Sequence, residues 1–458
     1  MRAVVVGGGI AGLAASHRLE ALLPEVEIAL VEQGDGLGGK IATERADGFV
    51  IEAAADSFLS RKPRGIGLCE ELGLTGELVG RRPEHERTFV RRGGDLHPLP
   101  TGLTGMIPTN LDALSESALL SPEGRARLAA EVDVPVGGDG DESIASFVSR
   151  RLGREAYEAF VEPLMTGIYG GDGEQLSLEA TFPQLRALEL EHGSLIEGLS
   201  AQAPGSRAHP PFVTLSPGMD ALVAALRSRL ERTRVATGSG VREVSHEGEG
   251  YRVELAGGEA LLADAVVVAA PAFAAAEMLS SLDEVLAAAH AEIPYASSVI
   301  VTFGFREEDV SHPLDGYGYV VPRVEGTDVL ACTWTSRKWE GRAPEGALLV
   351  RVFAGRFGGR DLTLDPDEEL VKVARDELSL LGVDATPILT RVRRWPRGMP
   401  QYVLGHTGRL ARIEAALDEH PGLAVAGAAY RGVGIPDCIR SGEEAAESVA
   451  RALTGARA

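Results

Sequence analysis

Residues 3–12 read Ala3-Val4-Val5-Val6-Gly7-Gly8-Gly9-Ile10-Ala11-Gly12, and this stretch decides the fold. A β-branched run passes at once into glycines, then into Leu13 to Leu23, which has helical composition and apolar spacing. Pro24 lies beyond that helix, and Val26 to Val31 alternates as a second strand ending at Glu32. Together they make a βαβ unit of roughly 30 residues. Glu32 follows Gly12, the last glycine of Gly7-x-Gly9-x-x-Gly12, by 20 residues. Each part has a mechanical reason. Gly7 permits the tight turn, Gly9 lets the backbone approach a pyrophosphate, and Gly12 lets helix and strand pack closely. The helix start offers free N–H donors and partial positive charge to phosphates, while Glu32 can accept from ribose hydroxyls. The pattern predicts dinucleotide binding rather than a merely structural turn, without choosing between NAD and FAD. Leu37-Gly38-Gly39-Lys40, past the second strand, suits an elongated cofactor that continues beyond the first unit.

Working outward, 458 residues set a soft prior of about three domains or one large mosaic. A 44% hydrophobic and 24% charged composition is that of an ordinary globular protein and excludes collagen, coiled coil and bulk disorder. The net charge of −22 disfavours a basic face for nucleic acid, so any anionic ligand must be met by local cations. Cys69, Cys332 and Cys438 lie far apart, which argues against a zinc site or disulfide framework and fits small buried residues in a reducing cytoplasm. No signal-peptide architecture precedes the first strand. The apolar uncharged stretch Ala265 to Ala276 has 12 residues and contains Pro271, too short to span a bilayer. A cytoplasmic protein is expected, with room for peripheral membrane contact.

From about Pro83 to Pro211 the pattern turns helical, as in Ser143 to Arg151 and Glu155 to Met165, punctuated at Val136-Gly137-Gly138-Asp139-Gly140 and Ala203-Pro204-Gly205-Ser206. After Ser216-Pro217-Gly218, a helix over Met219 to Leu230 and strands over Tyr251 to Leu255 and Ala265 to Ala269 return to the first domain. Between about Ala274 and Pro400, strands at Ser298 to Phe305 and Leu348 to Ala354, with a helix at Asp367 to Leu381, form a second sheet. Leu423 to Ala426 then leads through a glycine-rich turn into a helix from about Asp437 to Leu453, with Asp437 as its expected N-cap. Such a helix start again sets N–H groups beside an electron-rich ligand.

Several later blocks carry a resemblance: Asp56-Ser57-Phe58-Leu59, Leu99-Pro100-Thr101-Gly102, Gly167-Ile168-Tyr169-Gly170-Gly171, Ala331-Cys332-Thr333-Trp334-Thr335, Met399-Pro400-Gln401-Tyr402 with Gly405-His406, and Gly432-Val433-Gly434-Ile435-Pro436-Asp437-Cys438-Ile439. With the glycine fingerprint, they make essentially the whole chain resemble the FAD-dependent protoporphyrinogen/coproporphyrinogen oxidase family, within the amine-oxidase-like flavoproteins. The shared Ser57-Phe58-Leu59 with Arg61-Lys62, Ala343-Pro344-Glu345-Gly346 and Gly434 to Cys438 resemble the form of monoderm bacteria, whose substrate is coproporphyrinogen III.

The resemblance implies an α/β architecture. A Rossmann-like FAD-binding domain follows a discontinuous path through 1–82, 212–273 and 401–458, with a mixed-sheet substrate domain at 274–400 and a mainly helical insertion at 83–211 lining the entrance. It implies FAD contacts at Gly7, Gly8, Gly9, Ile10, Ala11, Gly12, Glu32, Gly39, Lys40, Ala54, Ala55, Asp56, Ser57, Val241, Ala428, Val433, Gly434 and Ile435. Substrate contacts are implied at Lys62, Arg87, Gly167, Val320 and Phe353. Where the family commonly has Gly-Pro after the acidic residue matching Glu52, this chain has Ala54-Ala55. The implied reaction takes coproporphyrinogen III to coproporphyrin III in haem biosynthesis, with O2 as acceptor and H2O2 as product. The next enzyme of the haem pathway is the implied transient partner.

In that chemistry, hydride leaves an sp³ meso carbon for flavin N5, a pyrrole N–H proton is lost, and three such steps make the porphyrin. The protein positions the macrocycle, so no dedicated catalytic acid or base is assigned. Propionates need cations, and Arg61-Lys62-x-Arg64, Arg87, Arg91-Arg92 and Arg337-Lys338 are the local candidates. Tyr169, Trp334, Phe353 and Tyr402 are candidate walls or core residues. The ten histidines show no metal-ligand spacing, and His406 is expected to serve a structural hydrogen bond. The alternatives are a protoporphyrinogen IX oxidase, a porphyrin carrier without turnover, and a generic amine oxidase or carotenoid desaturase.

Overall fold

The computed structural model describes residues 1–115, 117–138, 140–201 and 209–455; Asp139 and the turn read at Ala203-Pro204-Gly205-Ser206 lie outside them. Five parallel strands form a sheet in the order Thr233–Ala236, Glu27–Val31, Arg2–Val6, Ala265–Val268, Leu423–Val425. Both faces are covered, which is why Val4-Val5-Val6 reads as a continuous apolar run rather than an alternation. Ala3 and Val5 point to the side of the helices Ile10–Leu22, Asp220–Arg229 and Ile435–Gly455. Val4 and Val6 point to the side of Ala272–Leu279, Glu284–Ala291 and His406–Leu417. Arg2–Val6 is central, and chain order reverses around it. Such a reversal opens a crevice at the carboxyl ends of the strands, where ligands of this architecture bind.

The second sheet has seven strands, in the order Leu389–Pro400, Tyr295–Arg306, Ala347–Ala354, Val329–Trp334, Gly318–Val320, Phe89–Arg92, Asp95–Pro98. It is mixed, because Gly318–Val320 pairs in parallel with Phe89–Arg92 while its other pairings are antiparallel. Val350 and Val352 face the helix Asp367–Ser379, with Phe303, Trp334 and Leu370 in the same core. The other face carries Leu349 against Phe49 and Ile51, then Arg351 and Phe353. Two strands within the stretch read as helical, Phe89–Arg92 and Asp95–Pro98, thus extend this sheet. Arg91 disguises the first of them: it is 4% exposed and tolerable there only because Glu325 and Glu377 pair with it.

The remaining insertion is mainly helical, apart from a short antiparallel hairpin of Leu103–Thr104 and Ile107–Pro108. Ser143 caps the helix Ile144–Leu152 by accepting from Ser146 N–H at 3.1 Å. The single helix expected over Glu155 to Met165 instead contains a π turn, Tyr157–Val161, followed by the helix Glu162–Tyr169. Pro163 has no N–H to donate and its ring would collide with the carbonyl four residues earlier, so the backbone widens just ahead of it. Glu162 turns inward, accepting from Arg323 N–H at 2.9 Å and Thr166 Oγ1 at 2.8 Å. No helix among the described residues is long and apolar enough to cross a membrane.

Candidate functional site

The glycine turn at the crevice divides into two kinds of position. A Cβ at Gly7 would lie 2.7 Å from the Ala269 carbonyl oxygen, and one at Gly12 would lie 1.9 Å from that of Gly7, so the protein itself forbids side chains there. A Cβ at Gly9 would meet nothing within 4 Å. Gly9 precedes the helix Ile10–Leu22, which has neither a side-chain cap nor an acidic residue in its first turn. An uncapped helix start opening onto free space is the donor set of an anion cradle, and the residues fit the pyrophosphate of a dinucleotide. Glu32 is held by the backbone: its Oε2 accepts from Gly8 N–H at 2.6 Å and its Oε1 from Gly34 N–H at 2.7 Å. Each oxygen keeps a further lone pair for a hydroxyl. Val241 begins a strand beside this point, next to Gly240, whose Cβ would touch Gln33 at 3.4 Å.

Gly39 and Lys40 lie close by, with Gly39 against Gly9 and both exposed. Desolvation by the surrounding protein nevertheless lowers the Lys40 ammonium from its ordinary value.

The loop after Glu52 is pinned from the second sheet. Trp395 Nε1 donates to the Ala53 carbonyl at 3.0 Å and Arg351 Nη2 to that of Ala54 at 2.6 Å. Asp56 accepts from Lys338 Nζ at 3.0 Å, Trp339 Nε1 at 3.1 Å and Ser57 Oγ at 2.7 Å. Burial alone would raise the Asp56 carboxyl, but Lys338 and Arg351 beside it hold it well below the usual carboxylate range. Neither Ala54 nor Ala55 has a positive φ, so alanine adopts this backbone freely where the family commonly has Gly-Pro. These four pinning residues were not singled out for this task in the sequence. One signal was present: Arg351 sits in the apolar run Leu348-Leu349-Val350-Arg351-Val352-Phe353.

A second helix start follows a glycine-rich loop. The helix begins at Ile435 rather than Asp437. Asp437 lies inside the first turn and reaches back, its Oδ2 accepting from Gly434 N–H at 3.2 Å, which a residue in the third helical position does better than a residue at the cap. Gly432 has φ 131°, and its missing side chain leaves the space Asp437 fills. Tyr402 Oη donates to the Ala428 carbonyl at 2.7 Å and accepts from Gly432 N–H at 2.8 Å, tying the loop's two ends.

Of the substrate candidates, three come together. Val320, Ala331 and Phe353 are cross-strand neighbours on one face of the seven-stranded sheet. Gly167 lies across from them: a Cβ there would contact only Val320, at 3.8 Å, and Gly167 is exposed. The helix Glu162–Tyr169 packs against an apolar sheet row, with the exposed Gly167 at its edge. Lys62 hydrogen-bonds Asp437, whose charge raises the Tyr169 phenol two residues from Gly167, beyond the larger effect of burial. Arg87 stands apart, its guanidinium 3.3 Å from Asp315 and largely exposed. Among the candidate wall aromatics, Trp334 and Tyr402 are buried to 1% and 0%, so they are packing residues, while Phe353 is half-buried. His406 Nε2 lies 3.0 Å from the Tyr430 carbonyl. No cluster of metal-ligating side chains occurs among the described residues.

Comparison with known proteins shows the family and the fold. Residues 10–450 match the family described as flavin containing amine oxidoreductase. The chain is 38% identical over 466 residues to coproporphyrinogen III oxidase of Bacillus subtilis (strain 168), covering 98% of this chain and 97% of that one. It is 32% identical to the coproporphyrinogen III oxidase of Staphylococcus aureus (strain NCTC 8325 / PS 47), covering 97% and 98%. A solved structure from Exiguobacterium sp. 255-15, described as a candidate protoporphyrinogen oxidase, superposes with a TM-score of 0.89 at 34% identity over 98% of both chains.

Proposed function

We propose, from the premise that this chain belongs to the flavin-containing amine oxidoreductase family and carries FAD, that it oxidises coproporphyrinogen III to coproporphyrin III in haem biosynthesis. When bound, FAD supplies the two-electron acceptance that takes hydride from a meso carbon and passes electrons to O2, releasing H2O2. The chain's residues hold, orient and shield. In this reading the segments 1–82, 212–273 and 401–458 hold FAD, 274–400 offers the substrate sheet and 83–211 covers its entrance. Gly7 to Gly12 and the helix start behind them take the pyrophosphate, and Glu32 takes a ribose.

The observation that supports the substrate assignment is the apolar row Val320, Ala331 and Phe353 beside the exposed Gly167, with Val433 packed against the same cluster and the Lys62–Asp437 pair at the helix start that follows it. An apolar sheet row suits the face of a macrocycle, and an ammonium suits its propionates. Buried Arg351, with the partly buried Lys338 and Asp56, fixes the Ala53–Ser57 backbone. No side chain is assigned as a general base, because the pyrrole N–H of the oxidised macrocycle is acidic enough to lose its proton to water.

The test is porphyrin fluorescence with parallel H2O2 detection, on FAD-loaded protein given coproporphyrinogen III or protoporphyrinogen IX, with autoxidation subtracted. Faster coproporphyrin formation with stoichiometric H2O2 is expected. Preference for protoporphyrinogen would move the substrate while keeping the chemistry, and inertness toward both would overturn the reading.

A further inference from the structure

Asp437 makes one contact that the helix start does not require. Its Oδ2 accepts from Gly434 N–H and also takes a close hydrogen bond from the Lys62 ammonium. The two partners differ in exposure: the Asp437 side chain is 8% exposed and that of Lys62 39%. The ammonium therefore reaches inward from the solvent side to a shielded carboxylate. That carboxylate has other support, since the first turn of a helix favours negative charge and Arg440 Nη2 stands 4.0 Å from Oδ1. The other nearby cation, Arg64, is held by Glu71 and Glu443. Asp437 thus stays compensated if Lys62 leaves, whereas Lys62 has no second carboxylate among the described residues.

We propose that Asp437 is a positioning residue that competes with a substrate carboxylate for the Lys62 ammonium, holding Lys62 inward in the empty enzyme and yielding it to a propionate of the bound macrocycle. The inference rests on the proposed function only for the identity of the macrocycle. A ligand without a carboxylate leaves the pair closed, so the pair discriminates by charge as well as shape.

Asp437→Asn retains an oxygen that can accept from Gly434 N–H and removes only the charge. On FAD-loaded protein, coproporphyrin III binding is read by fluorescence quenching. Because a partly exposed pair no longer has to be broken, D437N is expected to bind coproporphyrin III about fivefold more tightly than wild type. The uncharged tetramethyl ester is expected to bind both equally. Lys62→Met weakens coproporphyrin III binding, and in its background D437N adds nothing. A general gain in anion affinity from deleting a negative charge would persist in that background and would overturn the proposal, as would an unchanged or weakened affinity in D437N alone. Should D437N fail to load FAD, Asp437→Ser also removes the charge while keeping a polar side chain and is expected to show the same gain. Wild-type binding of coproporphyrin III checks the reading of function separately. If only protoporphyrin IX binds, the same variant series on that dicarboxylate decides the Asp437 role, and binding of neither overturns both.

Discussion

One hydroxyl holds the loop that leads into the C-terminal helix. Tyr402 is fully buried, bridges the Ala428 carbonyl and the Gly432 N–H, and lays its ring on His406 with centroids 4.1 Å apart. Tyr402→Phe keeps the ring and leaves two polar backbone groups unpaired, which costs about 1–3 kcal/mol. Thermal unfolding and flavin-release titration should show lower stability and weaker FAD retention together. His406 makes a pH prediction. Burial pushes its imidazole down from 6.5 to about 4, so between those values the unfolded chain binds the proton and the folded one does not. The associated stability is complete above the unfolded value and is lost as pH falls toward the folded one, to a total of about 3 kcal/mol. Urea unfolding followed through that window should show the decline, and His406→Gln should flatten it.

The two helices that carry the glycine turns meet backbone to backbone at Gly442. A Cβ there would lie 2.1 Å from the Ala11 carbonyl oxygen and 3.1 Å from Ala15 N. Gly442→Ala must push the helix Ile435–Gly455 off Ile10–Leu22, at about 1–3 kcal/mol, and FAD affinity should fall with it because both helix starts shift. Gly455→Ala, with open space around it, should leave melting temperature and affinity unchanged. How much of this was legible varies with the reach of its cause. The strand Arg2–Val6 and helix Ile10–Leu22 are legible because an apolar run bounded by glycines is a local signal. The π turn Tyr157–Val161 is not, since helical composition passes through it unbroken and only Pro163 betrays it. The helix start was misread by two residues because Asp437 resembles a cap and instead reaches back from the first turn.

Across the whole molecule, the two sheets are joined where the second reaches over to pin Ala53–Asp56. The partners lie 282 to 342 residues apart in sequence, which is why spacing could not reveal them although the glycines of the same site were plain. Arg351 is the buried centre of this junction, donating to Ala54 and standing 3.9 Å from Asp56. Arg351→Met leaves a buried carboxylate short of a partner, and unfolding experiments should show a loss of about 3–5 kcal/mol, partly restored in Arg351→Lys. The visible circular dichroism of the bound flavin should change in the methionine variant, since the loop that carries Ala54 and Ala55 loses its anchor.

The most direct test of the account is to mix FAD-loaded protein with coproporphyrinogen III in the absence of O2, following the oxidised flavin band and porphyrin fluorescence together. The account predicts that the band bleaches as porphyrin appears and returns with H2O2 once O2 is admitted. An oxidised flavin band that stays unchanged in fully loaded protein, with coproporphyrinogen III present, would contradict it.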